Sequence, residues 1–207
     1  MSGFAVVDYK AGNLTSVLKA LRAAGAAPAV TSDPNVIAGA AAIVIPGVGH
    51  FGATAAIDDP MRQAIVTSVR NGAPLLGICL GLQFLFQGSS EAPGVPGLGL
   101  LPGTCTRLNG DVKVPHVGWN TLAVRPSRLL REVNDSAHVY FTHSYAAPVT
   151  DATIATTEHG ETFAAAVERD NVFGVQFHPE KSSETGLQIL RTFVQISKFP
   201  KFQISKC

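Results

Sequence analysis

Apolar and polar positions follow two periods along the first half of the chain. Residues 3–8 form a continuous apolar run of strand length closing on an acid, the profile of a strand buried on both faces. The period then changes. Leu14, Val17, Leu18 and Leu21 fall at i, i+3, i+4 and i+7 on one stripe, which predicts a helix capped by Asn13 and stopped by Gly25. Residues 28–31 and 41–45 return to strand character, the second running into Pro46-Gly47-Val48-Gly49-His50-Phe51-Gly52. Met61, Ile65 and Val69 share one face of a helix predicted over 61–70, ended by Asn71-Gly72. The run Pro74-Leu75-Leu76-Gly77-Ile78-Cys79 is another strand. The helix after it is expected to carry Leu82, Leu85 and Phe86 inward, with Gln83 and Gln87 one turn apart on another side.

From residue 93 to 103 three prolines and four glycines mark a loop. Short alternating or turn-bounded runs follow at 104–108, 120–124, 138–142, 153–157, 163–168 and 172–177, and a last helix is expected over about 184–196 after Ser182 or Ser183. Residues 113–120, which hold the only tryptophan, Trp119, read as a Pro/Gly-punctuated loop. Strand, helix, strand at this spacing predicts an α/β fold. Its central sheet is mixed and largely parallel, flanked by helices, with additional antiparallel strands in the C-terminal half. One domain over 1–207 is expected, with 199–207 as a mixed tail.

Composition narrows the function classes. Hydrophobic residues make up 46% and charged residues 15%, which is globular rather than disordered. No apolar stretch reaches the ~18 residues of a membrane span, and the start lacks the basic region of a signal peptide. A net charge of +1 without a basic block argues against nucleic acid and anionic membranes. Three cysteines, an odd number without framework spacing, point to a reducing compartment such as the cytoplasm.

The chemistry gathers at Gly77-Ile78-Cys79-Leu80-Gly81. Two glycines, each two residues from Cys79, permit a sharp strand-to-helix turn of the nucleophile-elbow kind, with the thiol at a helix N-terminus. A buried structural cysteine has the same surroundings, so the elbow needs partners. Val175-Gln176-Phe177-His178-Pro179-Glu180 supplies them. Residues i and i+2 of an extended segment point to one side, and Pro179 keeps His178 extended, so His178 and Glu180 face one way. An imidazole oriented by a carboxylate is the usual activator of a cysteine nucleophile. Taken alone, His178 reads first as an ordinary strand-end histidine and Glu180 as a solvated charge; the Cys79 elbow about one hundred residues upstream changes that reading. The Pro-Gly-Val-Gly stretch lies at the carboxyl end of its strand, where α/β sheets bind ligands, though a plain turn would look similar.

Together the elbow and the Phe177-His178-Pro179-Glu180 terminus resemble the class I (triad) glutamine amidotransferases. Several further stretches narrow the resemblance. They are Asp8-Tyr9 with Gly12-Asn13, the Pro46 to Gly52 stretch, Pro115-His116-Val117-Gly118-Trp119-Asn120, Tyr140-Phe141-Thr142-His143-Ser144-Tyr145 and His178-Pro179-Glu180-Lys181-Ser182. In these the chain is similar to the glutaminase subunits of imidazole glycerol phosphate synthases, of histidine biosynthesis. Lys10 stands where that pattern has glycine, and Thr142 where valine is commoner.

The resemblance implies that Cys79 attacks the carboxamide of glutamine, with His178 as proton carrier and Glu180 as its orienter. It further implies an oxyanion hole from the backbone at Gly47, Val48 and Leu80. Gly47, Gln83, Glu91 and the Thr142-His143-Ser144 backbone would hold the amino-acid end of glutamine. A peptide flip at Gly47-Val48 is expected as a switch of activity. A (β/α)8 cyclase partner would receive the ammonia, with Asn13, Trp119, Asn120 and Lys181 on the docking face. Trp119 also fits ordinary core packing.

No metal and no cofactor is called for: His50, His116, His138, His143 and His159 show no metal spacing with Cys, Asp or Glu. Cys105 and Cys207 read as structural or bystander thiols, and Asp111, Arg125, Arg128 and Arg131 as solvated charge. The competing readings are a glutaminase subunit of another pathway, vitamin B6 synthesis included, and a catalytically silent regulatory subunit of the same fold.

Overall fold

Each apolar run of the first half divides its side chains between two hydrophobic cores, one on each face of a central sheet. In β3 (Ala42–Ile45), Ala42 and Val44 enter one core while Ile43 and Ile45 enter the other. β1 (Phe4–Val7) and β4 (Leu75–Ile78) divide in the same way, which is why these strands read as unbroken apolar runs. The computed structural model describes residues 3–11 and 14–198. Asn13 and the 199–207 segment, Cys207 included, lie outside the described residues.

The remaining elements follow in order. α1 (Leu14–Ala23), β2 (Pro28–Thr31) and α2 (Pro34–Ala38) precede β3, and α3 (Asp59–Arg70) precedes β4. α4 (Leu80–Leu85), β5 (Gly88–Ser89), β6 (Thr104–Arg107), β7 (His116–Thr121), β8 (Ala123–Val124), β9 (His138–His143) and β10 (Tyr145–Ala146) come next. β11 (Thr153–His159), β12 (Glu161–Arg169), β13 (Val172–Val175) and α5 (Ser183–Lys198) complete the chain. Eight strands form the main sheet in the order β2-β1-β3-β4-β13-β12-β11-β8, parallel from β2 to β13 and antiparallel beyond. α1 and α5 cover one face through Val17, Leu21, Leu190 and Phe193, while α3 covers the other through Met61, Ile65 and Val69.

This topology places the site. β4 lies between β3 and β13, with Ile45 in register with Gly77 and Val175 with Ile78. The carboxyl ends of three neighbouring strands therefore deliver Pro46-Gly47, Cys79 and His178 to one edge, as expected for an open α/β sheet.

Several expectations need correction. α2 was not anticipated from the apolar pattern; its signal is local, Asp33 accepting the Asn35 N–H at 2.8 Å with Pro34 in the first turn. The 113–120 segment is not all loop, because His116–Thr121 pairs residue for residue with β9. Those two strands, and β6 with β5 and β10, form small separate sheets rather than joining the main one. β9 buries alternate residues and β7 buries His116 alone, with Val117, Trp119 and Thr121 exposed, so one face of the ribbon stays open. α4 stops at Leu85, short of Phe86 and Gln87, and is buried all round. Its last carbonyls are taken by the Pro/Gly-rich loop, with Leu98 N–H donating to Phe84 O at 2.7 Å and Leu101 N–H to Leu85 O at 3.0 Å. Arg128 is not a free surface charge: it pairs with Glu168 at 2.7 Å, both side chains largely buried.

Candidate active site

The turn from β4 into α4 is built by close approach of backbones. A Cβ on Gly81 would stand 1.8 Å from Ile45 O, and one on Gly77 2.5 Å from Gly81 O. Only glycine fits at either position. Between them Cys79 adopts φ 53°, ψ −106°, a left-handed conformation that costs a non-glycine residue ~1–3 kcal/mol. The turn presents the thiol to Thr142 O at 3.8 Å and receives the Gln176 Nε2–H at 3.6 Å.

His178 arrives from β13, its N–H donating to Tyr140 O at 2.9 Å and its carbonyl accepting from Ser182 Oγ at 2.6 Å. Its Nδ1–H donates to Glu180 Oε1 at 2.8 Å. That bond engages Nδ1; among the described residues Nε2 has no hydrogen-bond partner. Burial lowers the imidazole, but Cys79 and Glu180 outweigh it and raise His178 to about 9. The sulfur lies outside hydrogen-bond geometry, so the Glu180 contact is the firmer of the two. The ring is 1% exposed and the carboxylate 3%, so their attraction is little screened by water.

A cavity of about 270 Å³ opens over the sulfur, lined by Gly49, Cys79, Leu80, Gln83, Glu91, Pro115 and the Thr142–Tyr145 segment. Glu91 Oε2 accepts the Phe51 N–H at 2.7 Å, which holds the carboxylate at the cavity wall. Gln83 is buried, its amide nitrogen donating to Tyr145 O at 2.7 Å and to Gln176 Oε1 at 3.2 Å. Gly47 and Val48 stand aside from the lining. A Cβ on Gly47 would meet Tyr9 Oη at 2.0 Å, and Leu80 N–H donates to Gly47 O at 3.4 Å. One expected oxyanion donor is therefore occupied by a carbonyl.

Of the residues expected to face a partner, Trp119 and Lys181 come together around Tyr140. Trp119 meets the Tyr140 ring edge-on at 6.1 Å and Lys181 Nζ lies 5.7 Å from its centre, with Trp119 51% exposed. Asn120 instead ties its amide to β11, donating to Glu158 O at 2.9 Å. Among the described residues no three His, Cys, Asp or Glu side chains are grouped to hold a metal ion.

The model of the Glutamine amidotransferase class-I family matches residues 5–196. This chain belongs to the class-I glutamine amidotransferase family. Among its class-I relatives is the "Imidazole glycerol phosphate synthase subunit HisH" of Methanothermobacter thermautotrophicus, 47% identical over 193 residues that cover 93% of this chain and 98% of that one. The protein of the same name from Thermococcus kodakarensis is 49% identical over 196 residues, 91% and 97% of the two chains. Among solved structures, a "glutamine amidotransferase" superposes with TM-score 0.74 at 20% identity, covering 94% and 98% of the chains. The "PurLQS from Thermotoga maritima" structure gives 0.73 at 20% identity, covering 94% and 99%. At that identity these two likenesses bear on the fold alone.

For a class-I amidotransferase site, two contributors escaped the sequence reading. Tyr9 is buried against the Gly47 backbone, its hydroxyl donating to Pro46 O at 2.8 Å; burial and the nearby Cys79 raise its pKa. Gln176, fully buried, touches both Cys79 and Gln83. A polar residue at a core position beside the His-Pro-Glu terminus was the available signal for Gln176. Lys10 sits at φ 65°, the region that glycine enters without strain, which gives a physical reason for glycine in the related pattern. Cys105 is buried, and burial alone raises its thiol, consistent with a bystander.

Proposed function

We propose that this chain is the glutaminase subunit of an imidazole glycerol phosphate synthase, hydrolysing glutamine on Cys79 and releasing ammonia to a cyclase partner. The observation that carries the reading is the elbow thiol facing the cavity with the His178–Glu180 pair behind it, on a chain 47–49% identical to two HisH subunits.

In this reading the proton of the Cys79 thiol already rests on His178 Nε2 when the sulfur attacks the carboxamide carbon. The same proton protonates the amide nitrogen, the C–N bond breaks and ammonia departs, leaving a thioester. Water then attacks the thioester, giving its proton to His178, which returns it to the leaving sulfur as glutamate is released. Glu180 holds the imidazolium through Nδ1. Glu91 offers a carboxylate to the ammonium of glutamine, and the backbone of Thr142, His143 and Ser144 offers polar groups to its amino-acid end, with Gln83 beside them.

The oxyanion needs Leu80 N–H and a second donor from Gly47-Val48. With Gly47 O against Leu80 N–H that pair is incomplete, and turning the Gly47-Val48 peptide would free Leu80 N–H and aim Val48 N–H inward. One such donor is worth about 2.7–4 kcal/mol in related chemistry, so the turn is a sufficient switch. Val48 is 37% exposed, within reach of a docking partner. Trp119, Tyr140 and Lys181 form the aromatic and cationic centre of the docking face, the residue types that anchor interfaces. The placing of Asn13 on that face is kept from the sequence resemblance alone.

The test is glutamate release by the full chain, alone and with the cyclase and its ribulosyl phosphate substrate, using Cys79→Ala as control. Release that needs partner and ligand and is absent in Cys79→Ala is the expected result; no release under any condition supports the silent-subunit reading.

A further inference from the structure

The histidines outside the triad are gathered rather than scattered. His116 of β7 stacks on His159 at 4.1 Å and on Phe141 at 4.8 Å, and meets His143 edge-on at 5.2 Å. Within this stack every donor and acceptor can be deduced. A carbonyl only accepts, so His143 Nδ1, 3.0 Å from Tyr145 O, carries a hydrogen. In the neutral ring Nε2 then accepts, and His116 Nδ1, 3.2 Å away, donates to it. His116 Nε2 is left as an acceptor and meets the Asn120 amide nitrogen at 3.4 Å. The Asn120 amide is itself fixed, its nitrogen donating to Glu158 O at 2.9 Å and its oxygen accepting the Thr121 N–H at 2.8 Å.

Both rings are held neutral by their setting. Burial, then the neighbouring His159, lowers His116 to about 4. Burial and the nearby His116, His159 and His178 lower His143 to about 3 against the raising effect of Tyr145 O. The chain does not stop at Tyr145. Its carbonyl also accepts from Gln83 Nε2 at 2.7 Å; that amide donates to Gln176 Oε1 at 3.2 Å, and Gln176 Nε2 donates to Cys79 Sγ at 3.6 Å. A hydrogen-bond path thus runs without a break from Asn120 on the exposed ribbon to the sulfur.

We propose that His116 and His143 are positioning residues of the glutaminase site, holding the Thr142–Tyr145 segment and, through Gln83 and Gln176, the nucleophile in register with strand β7. The proposal rests on the glutaminase reading above. A stack that only filled the core would be served by phenylalanine, without the cost of buried polar atoms. Here each buried nitrogen of the two rings has a partner, and the partners lead to the cavity.

Two substitutions separate hydrogen bonding from packing. His116→Phe keeps the ring stack and removes both polar atoms; His116→Asn keeps a donor where Nδ1 stood and gives up the ring. Under conditions that give Cys79-dependent glutamate release from the full chain, His116→Phe is expected to raise KM for glutamine roughly 3- to 10-fold, with kcat and the His116→Asn KM within about twofold of the parent. An unchanged KM in His116→Phe, or an equal rise in both variants, overturns the proposal. Where His116→Phe does not fold, nitrogen-15 spectra of the unaltered chain decide it. The proposal requires the Nδ1–H tautomer for both rings at neutral pH; an Nε2–H tautomer or a charged ring at either position overturns it. That arm needs no activity, so a parent chain without Cys79-dependent release loses the glutaminase reading while the tautomers still judge the path.

Discussion

Cys79 is held in a left-handed conformation between two glycines that cannot be replaced, which separates the needs of chemistry from those of stability. Removing the side chain takes away the proposed nucleophile in either Cys79→Ala or Cys79→Gly, but only glycine relaxes at φ 53°. Cys79→Gly is therefore expected to be more stable than Cys79→Ala by about 1 kcal/mol in chemical denaturation. His178 has the opposite character, a group whose setting favours its charge. Its imidazole, raised to about 9 from an ordinary 6.5, keeps the proton that departing ammonia needs until the pH passes about 9. Glutamate release should decline above that pH. Glu180→Gln removes one of the raising influences, so the alkaline limb should move to lower pH in the pH–rate profile. Glu180 reaches His178 from a 3-10 turn over Pro179–Lys181, not from the extended His-Pro-Glu expected, whereas the tight turn at Cys79 was legible because glycine spacing carries its geometry locally. Gln176 was not, because its role depends on facing Cys79 across neighbouring strands, a relation no local pattern contains.

Elements meet at the site through backbone contacts that tolerate no added atom. Gly81→Ala puts a carbon 1.8 Å from Ile45 O, so β3 and α4 must separate, at an expected cost of about 3 kcal/mol or more. Gly94→Ala in the Pro/Gly-rich loop meets nothing within 4 Å and should shift the melting transition little, the two variants being compared side by side. The β7–β9 ribbon is expected to respond to acid. His116 and His143 are lowered from 6.5 to about 4 and about 3, so the unfolded chain binds more protons, and their contribution to stability, full above 6.5, is lost as pH falls toward 4. His159 and His178 also face the pair, and His178, raised to about 9, already carries its charge throughout this range. Trp119, the only tryptophan, lies on β7 and should report this in its fluorescence between about pH 6.5 and 4; a signal flat to pH 4 would contradict it. Strands buried on both faces were readable as apolar runs. β7 was not, since a Pro/Gly-rich stretch becomes a strand only when a distant partner such as β9 is in place.

At the scale of the whole molecule, the order β3-β4-β13 converts three separate stretches of sequence into one site at one sheet edge. The parallel half of the sheet was inferable from strand–helix–strand spacing, and the match of residues 5–196 to the class-I glutamine amidotransferase family agrees with it. Which later strands extend the sheet and which stand apart depended on pairings between remote residues. In the function proposed above, the aromatic and cationic face around Tyr140 and the closed Gly47–Leu80 contact belong to a glutaminase held back until a partner docks. The most direct measurement is glutamate release by the full chain with and without the cyclase and its ribulosyl phosphate substrate. The account predicts slow or absent release alone, a sharp rise with partner and ligand, and none from Cys79→Ala; strong release from the chain alone, unchanged by the partner, would contradict it.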